Sequence, residues 1–211
     1  MTHKEPLTLA IESAIRGGSI SLIEDGREKA NWIGSTDVSK AEELLANIDA
    51  MLKANGLTVR DVGHVAVSAG PGSFTGIRIG LATALGLSRG LAIPLSSVSA
   101  LSAMAETCEF HGDAIVAIPV GRSGICKQMF TREGQLTTAA TAPEAITMEQ
   151  LLADIQNTND MNFNLHRSLY EHADKNGSTM DFGENIAFAI GLACAADPGS
   201  TVEPLFISKN Y

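Results

Sequence analysis

Short apolar stretches in the first third of the chain, several of them alternating with polar residues, predict β-strands. The predicted strands cover residues 7–14, 19–24, about 29–33 and 64–69. Gly17-Gly18 and Asp25-Gly26 stand between the first three, where hairpin turns need residues that tolerate positive φ. We therefore expect two successive hairpins, followed later by a buried fourth strand.

A helical spacing of apolar positions predicts helices over residues 39–55 and 75–90, and from Ser97 or Ser99 to about residue 109. A short strand over residues 93–95 precedes the last of these. The helix over 75–90 is unusual because small residues recur at every fourth position, namely Gly76, Gly80, Ala84 and Ser88. Small side chains permit close approach, so this face packs either against the chain's own domain or against another chain.

The second half of the chain is less regular. Its pattern predicts a hairpin over 113–120 and 125–132, a helix over 148–156, a strand over 161–165, a helix over 184–196 and an extended tail over 203–208. The spacing of apolar residues becomes less regular near His111-Gly112. This change predicts a first domain over 1–109 and a smaller second domain over 110–211. Strands and helices mixed in this order indicate an α/β protein.

A glycine-rich loop joins the fourth strand to the small-residue helix. Exposed N–H groups at a helix N-terminus attract anions, so this loop is a candidate phosphate or nucleotide site, although it lacks the lysine of a P-loop. Glu12, at the end of the first strand, is either a metal-linked acid or an ordinary strand-end carboxylate. The candidate residues are Glu12, Ser13, Gly70, Gly72, Ser73 and Thr75. The alternative is a tight strand-to-helix connection without a ligand.

Charge and composition exclude several classes of function. The net charge of −9 and the absence of a Lys/Arg run argue against unaided nucleic-acid binding. Three dispersed cysteines and no apolar leader indicate a reduced, cytoplasmic protein without a membrane span. Histidines in HExxH or HxxxH spacing are absent, and we expect His166 and His172 at a solvated surface. Arg78 is either a snorkelling side chain or a cation aimed at the glycine-rich loop.

The run GPGSFTGIRIG, with the opening LAIESA, the hairpin ISLIEDG and the closing EPLFIS, resembles the bacterial TsaB (YeaZ) family. The resemblance is strong over residues 7–105 and weak over 110–200. It implies the actin, Hsp70 and sugar-kinase fold, with a mixed sheet flanked by helices and a reduced second domain. The usual Asp-Ala-Arg segment of the family's second domain is replaced here by residues 119–126.

The resemblance also implies a role in making threonylcarbamoyladenosine in tRNA. Members of this family act as partners of TsaD, which holds the metal and transfers the threonylcarbamoyl group, and a TsaE ATPase joins the pair. The helices over 39–55 and 75–90 match those of the family's interface with TsaD. The predicted interface residues are Leu44, Leu45, Ile48, Met51, Gly76, Arg78, Gly80, Ala84 and Ser88.

We therefore expect a non-catalytic subunit that binds a TsaD-like protein, meets tRNA only through the complex and forms a homodimer in isolation. It needs no cofactor of its own, and ATP or ADP is confined to the partner interface. The alternatives are a small phosphotransferase of the same superfamily, a homodimeric interaction module and a peptidase. The peptidase is disfavoured because neither a metal pair nor a Ser nucleophile elbow is present.

Overall fold

The computed structural model describes residues 5–34, 43–121, 123–158, 161–173, 179–183, 185–196 and 204–205. The first part of the predicted helix over 39–55 and most of the predicted tail over 203–208 lie outside these residues. Within them, no helix is both long and apolar enough to cross a membrane.

Eleven strands, six α-helices and one 3₁₀-helix over Val59–Asp61 occur in the described part of the chain. The strands are β1 Thr8–Glu12, β2 Ser19–Glu24, β3 Arg27–Ile33, β4 His64–Ser68, β5 Leu95–Val98, β6 Gly112–Val120, β7 Gly124–Glu133, β8 Leu136–Ala139, β9 Glu144–Ile146, β10 Asn162–His166 and β11 Thr179–Gly183. The helices are α1 Leu44–Ala54, α2 Phe74–Leu91, α3 Ala100–Thr107, α4 Met148–Asn157, α5 Arg167–Tyr170 and α6 Ile186–Ala196.

The first sheet has the strand order β3-β2-β1-β4-β5. Its first three strands are antiparallel, as the two hairpin turns predict, and Asp25 and Gly26 both have positive φ. Strands β1, β4 and β5 run parallel, with Leu9 beside Val65. This mixed arrangement brings the ends of β1 and β4 to one edge, where the predicted loop begins.

The second sheet has the order β11-β10-β6-β7-β8, and β9 pairs with β7. Strands β6 and β7 form the predicted hairpin, while β10 lies parallel to β6. Strands β8, β9 and β11 and helix α5 were not predicted, because each is short and mostly polar or half-exposed. The predicted strand over 93–95 is wrong in position, since β5 begins at Leu95.

Successive side chains of each strand point to opposite faces of its sheet, and the buried apolar side chains form three clusters. Leu9 and Ile11 face α1 and α2 on one side of the first sheet, and Ala10 faces α3 and α6 on the other. The opposite side of α3 and α6 meets Val116 of the second sheet, whose far face packs on α4 and α5. Helices α3 and α6 are thus enclosed between the two sheets.

The predicted domain boundary at residue 109 falls where the chain passes from one sheet to the other. The second predicted domain, 110–211, is not confined to the second sheet, because α6 returns to the first. The Ser19 hydroxyl accepts a hydrogen bond from the Ala187 N–H at 3.0 Å. A β-carbon on Gly191 would overlap the side chain of Ile23, so glycine permits this close contact.

Arg132, on β7, fastens the second sheet to the end of α3. Its guanidinium donates to the carbonyl oxygens of Cys108 and Ala105 at 2.6 Å and of Glu106 at 3.0 Å. It also lies over the Phe110 ring, 4.4 Å from its centroid. A cation is favourable at a helix C-terminus, where carbonyl groups lack helical partners.

Arg132→Met should therefore lower the free energy of unfolding by about 2 kcal/mol, because charge-assisted hydrogen bonds to partly buried carbonyl oxygens at the end of α3 are lost. Urea unfolding measures this change. Arg27→Met, at an exposed position on β3, is the control and should stay within about 0.5 kcal/mol of the parent protein. Equal stability of the two variants would contradict the role given to Arg132.

Candidate functional site

The edge where β1 and β4 end is closed by a turn that Glu12 stabilises. One carboxylate oxygen of Glu12 accepts the N–H groups of Ala14 at 2.6 Å and Ile15 at 3.0 Å. The side chain is buried, and this desolvation raises the pKa of Glu12 to about 7, although the two N–H groups lower it in part. Of the two interpretations of Glu12, an ordinary carboxylate at the end of a strand agrees with this geometry.

The N-terminus of α2 is capped from within the chain. The Ser73 N–H donates to the Ala14 carbonyl oxygen at 2.7 Å, and the Ser73 hydroxyl oxygen accepts the Gly76 N–H at 3.2 Å. Two donors that could have met an anion are therefore already satisfied. Gly72 lies against the same turn, where a β-carbon would stand 2.6 Å from the Ala14 carbonyl oxygen.

Ser13 connects the turn to the helix. Its hydroxyl donates to the Gly76 carbonyl oxygen at 2.9 Å. A β-carbon on Gly76 would overlap the Ser13 carbonyl oxygen, and one on Gly80 would overlap the Ser13 hydroxyl oxygen. Both glycines are therefore required by the chain's own packing.

The six candidate phosphate-loop residues fall into three groups. Glu12, Ser13, Gly72 and Ser73 are brought together by the contacts above. Gly70 has a φ of +102° and lies beside Leu205, whose N–H donates to the Ala69 carbonyl oxygen at 2.7 Å. Thr75 is exposed. Phosphate contact here stays a prediction, and the geometry of these residues is that of a tight connection.

The small-residue stripe on α2 faces inward, so its assignment to a partner interface is wrong for Gly76, Gly80 and Ala84. Ala84 is fully buried among apolar residues of the first sheet and α1. The same correction applies to Leu44, Ile48 and Met51, which are buried in that cluster. Ser88 is half-buried and donates its hydroxyl to the Ile93 carbonyl oxygen at 2.7 Å.

The opposite side of α2 is exposed, and we call it the outer face. It consists of Phe74, Thr75, Arg78, Ala82, Leu85, Gly86, Arg89 and Gly90. The Arg78 guanidinium stacks on the Phe74 ring, 3.6 Å from its centroid, and so is not directed at the loop. Of the predicted interface residues, Arg78 and Leu45 are exposed, and Leu45 is 58% accessible on the neighbouring α1.

The sequence contained a signal for the outer face. Phe74, Arg78, Leu85 and Arg89 recur with helical spacing, but the more conspicuous stripe of small residues lies on the other side. The sequence also gave no sign of a cavity in the second sheet that includes His166. That histidine is 2% exposed, so its predicted surface position is wrong, whereas His172 is exposed as expected.

A metal site is not indicated by the described residues, which contain no cluster of three His, Cys, Asp or Glu side chains able to hold an ion.

Solved structures with the same fold cover nearly the whole chain. YeaZ from Pseudomonas aeruginosa superimposes with a TM-score of 0.69 at 16% identity, over 96% of this chain and all of that one. EutJ, an ethanolamine utilization protein from Carboxydothermus hydrogenoformans, gives a TM-score of 0.56 at 10% identity over 92% of both chains. The expected actin, Hsp70 and sugar-kinase fold is confirmed.

Sequence comparisons identify the family. The model of the family TsaD: tRNA N6-adenosine threonylcarbamoyltransferase matches residues 37–195. The tRNA threonylcarbamoyladenosine biosynthesis protein TsaB of Escherichia coli K12 is 35% identical over 98 residues, which are 46% of this chain and 42% of that protein. TsaB of Bacillus subtilis is 27% identical over 146 residues, 69% of this chain and 59% of that one.

The chain spans about half the length of the curated relatives it matches. The family model, in contrast, matches about three quarters of the chain. The chain therefore belongs to the TsaD family, and over about half of its length it is similar to TsaB proteins.

Proposed function

We propose that this protein is a non-catalytic subunit that binds a TsaD-like protein through the outer face of α2. In this role it supports transfer of a threonylcarbamoyl group to the adenosine next to the tRNA anticodon. The curated relatives from Escherichia coli, Haemophilus influenzae and Bacillus subtilis are each named tRNA threonylcarbamoyladenosine biosynthesis protein TsaB, and these names support the pathway. The composition of the outer face is the structural observation that carries the partner role.

The outer face contains two large apolar side chains that are exposed to solvent. Phe74 is 51% and Leu85 is 41% accessible, and Leu45 lies on α1 on the same side of the first sheet. Large apolar side chains exposed on one side of a sheet in this way are typical of protein interfaces. Arg78 and Phe74 form a stacked pair, and arginine and aromatic residues are enriched at the centres of interfaces.

Two glycines on the outer face are unexplained by the chain's own packing. A β-carbon on Gly86 or Gly90 would meet nothing within 4 Å, so neither glycine is needed for contact inside the protein. In a helix interior, glycine costs about 0.8–1 kcal/mol relative to alanine. Close approach of a partner's backbone accounts for this cost. In this proposal the small residues that permit contact with a partner are therefore on the outer face of α2, not on its inner face.

The acidic character of the chain supports an indirect contact with tRNA. With a net charge of −9, the protein repels phosphate groups, so the partner must supply the basic surface. The proposal places the protein in the cytoplasm with tRNA, and a TsaE-like ATPase is the expected third component. Any ATP or ADP at the interface is bound jointly with the partner.

Ala82→Arg should weaken binding to the TsaD-like protein of the same organism at least tenfold, because a long charged side chain replaces a small one in the middle of the outer face. Co-expression and pull-down, followed by titration calorimetry, measure the loss. Ala140→Arg, at an exposed alanine after β8, is the matched control and should bind normally. Both variants should keep the unfolding midpoint of the parent protein.

Three results would contradict the proposal. Normal binding by Ala82→Arg would exclude the outer face, and failure of the parent protein to bind any TsaD-like protein would exclude the partner role. ATP hydrolysis by the isolated chain would favour the phosphotransferase. Sedimentation of the isolated protein tests homodimerisation, and Ala82→Arg should shift a dimer to monomer if the same face is used.

A further inference from the structure

Both charged residues of α2 are arginines, and both lie on its outer face. Arg78 and Arg89 are exposed, and Phe74–Leu91 contains no aspartate or glutamate. Because their sequence separation corresponds to about three helical turns, the two side chains project from the same side of α2, about 16 Å apart along its axis. This face is therefore positively charged, although the whole protein has a net charge of −9.

The neighbouring helix α1 does not neutralise these charges. Its charged residues are Asp49 and Lys53, and they pair with each other, with the Lys53 Nζ 2.6 Å from the Asp49 Oδ2. Within the part of the chain that the structure describes, neither Arg78 nor Arg89 forms an ion pair. Both guanidinium groups are therefore available to carboxylates outside the chain.

The position of Arg78 is not explained by the electrostatics of α2 itself. The helix dipole favours a cation in the last turn, where Arg89 lies, but disfavours one near the N-terminus, where Arg78 lies. Stacking on the Phe74 ring occupies one face of the Arg78 guanidinium. The N–H groups lie in the guanidinium plane, so they stay available for a carboxylate while the stack limits the motion of the side chain.

A second copy of this chain does not complement the charge of the outer face. In a two-fold dimer formed through this face, the same surface lies on both sides of the interface. Each copy then presents the two arginines of α2 and the neutral α1 to the other copy. Like charges that meet across an interface disfavour the complex, whereas an acidic surface of another protein pairs with both arginines.

We propose that the TsaD-like partner covers the outer face with an acidic surface, in which two carboxylates about 16 Å apart pair with Arg78 and Arg89. These pairs favour the heterodimer over a dimer of this chain. The inference rests on the proposed function and adds the chemistry of the partner's surface. Two carboxylates are required because an ion pair forms only within about 4 Å, so one group cannot reach both arginines.

Arg89→Glu should weaken binding of the full-length protein to its TsaD-like partner at least tenfold at about 50 mM salt, because attraction becomes repulsion. The loss should be smaller at about 500 mM salt, which screens exposed charges. Arg89→Lys keeps the charge and should bind within about threefold of the parent protein. Arg27→Glu makes the same change of charge on β3, three strands from β4 in the first sheet, and should bind normally. Titration calorimetry measures all four affinities, and unfolding midpoints check that each variant is folded.

Salt should act in opposite directions on the two complexes. Between about 50 and 500 mM salt, binding of the parent protein to its partner should weaken at least fivefold, whereas self-association, measured by sedimentation, should strengthen. Partner binding that salt does not change, self-association that weakens with salt, or equal effects of Arg89→Glu and Arg27→Glu would each overturn this inference and leave the partner role intact. Failure of the parent protein to bind any TsaD-like protein would instead contradict the proposed function and this inference together.

Discussion

Gly76→Ala is expected to lower the free energy of unfolding by about 3 kcal/mol, whereas Gly86→Ala is expected to raise it by about 0.8 kcal/mol. Both glycines lie in α2, and both substitutions add the same methyl group. Gly76 faces the Ser13 carbonyl oxygen, which a β-carbon would overlap, and backbone cannot move aside as a flexible side chain can. Gly86 faces open space, so alanine gains helix propensity without a clash.

Urea unfolding of the isolated protein measures both changes, and the opposite signs make each variant the control for the other. Equal effects of the two substitutions would contradict the inward orientation of the small-residue stripe. The same comparison applies to the predicted interface. Gly80→Leu or Ala84→Arg would disrupt the protein's own core, so loss of partner binding in those variants would not locate the interface.

Wild-type protein is expected to lose about 3 kcal/mol of stability relative to Glu12→Gln between pH 4.5 and pH 8. The folded protein raises the pKa of Glu12 from 4.5 to about 7, so the neutral carboxyl is favoured in the folded state. The resulting contribution is complete below pH 4.5 and is lost as the pH rises through about 7. Glutamine keeps an oxygen that accepts the Ala14 and Ile15 N–H groups but does not ionise.

The measurement is the difference in unfolding free energy between wild type and Glu12→Gln at several pH values. His166 acts in the opposite direction, because its contribution is complete above pH 6.5 and is lost as the pH falls toward 4. Both proteins carry His166, so its effect cancels in the difference. Glu133→Gln replaces an exposed carboxylate and is the control. The difference in unfolding free energy between wild type and Glu133→Gln should not change by about 3 kcal/mol over this pH range. Parallel pH profiles for wild type and Glu12→Gln would refute the burial argument.

Local patterns predicted most of the fold. Alternating apolar residues and hairpin turns gave β1–β3, and strong helical periodicity gave α2 and α4 to within one or two residues. The element β8 could not be predicted in this way, since its residues are exposed or half-buried and its pairing with β7 depends on the tertiary fold. Register and strand order likewise depend on contacts distant in sequence.

The geometry of the candidate site was harder to predict from the sequence than the fold. A stripe of small residues predicts close packing, but it does not specify whether the neighbour is Ser13 of the same chain or a second protein. Glu12 and Ser73 were recognised as polar groups at strand and helix ends, yet their hydrogen bonds to Ala14 and Gly76 appear only when the turn and the helix meet. His166 lay in a polar stretch, and its burial results from the parallel neighbours of β10.

The position of α6 has a consequence for how the protein folds during synthesis. Ile186 to Ala196 cover the face of the first sheet that contains Ala10 and Ile23, although some 160 residues or more separate them in sequence. Such distant contacts carry a large loop-closure cost and slow folding. The first sheet therefore leaves the ribosome with this face covered by α3 alone, and the part that α6 covers stays exposed until nearly the whole second half has been translated.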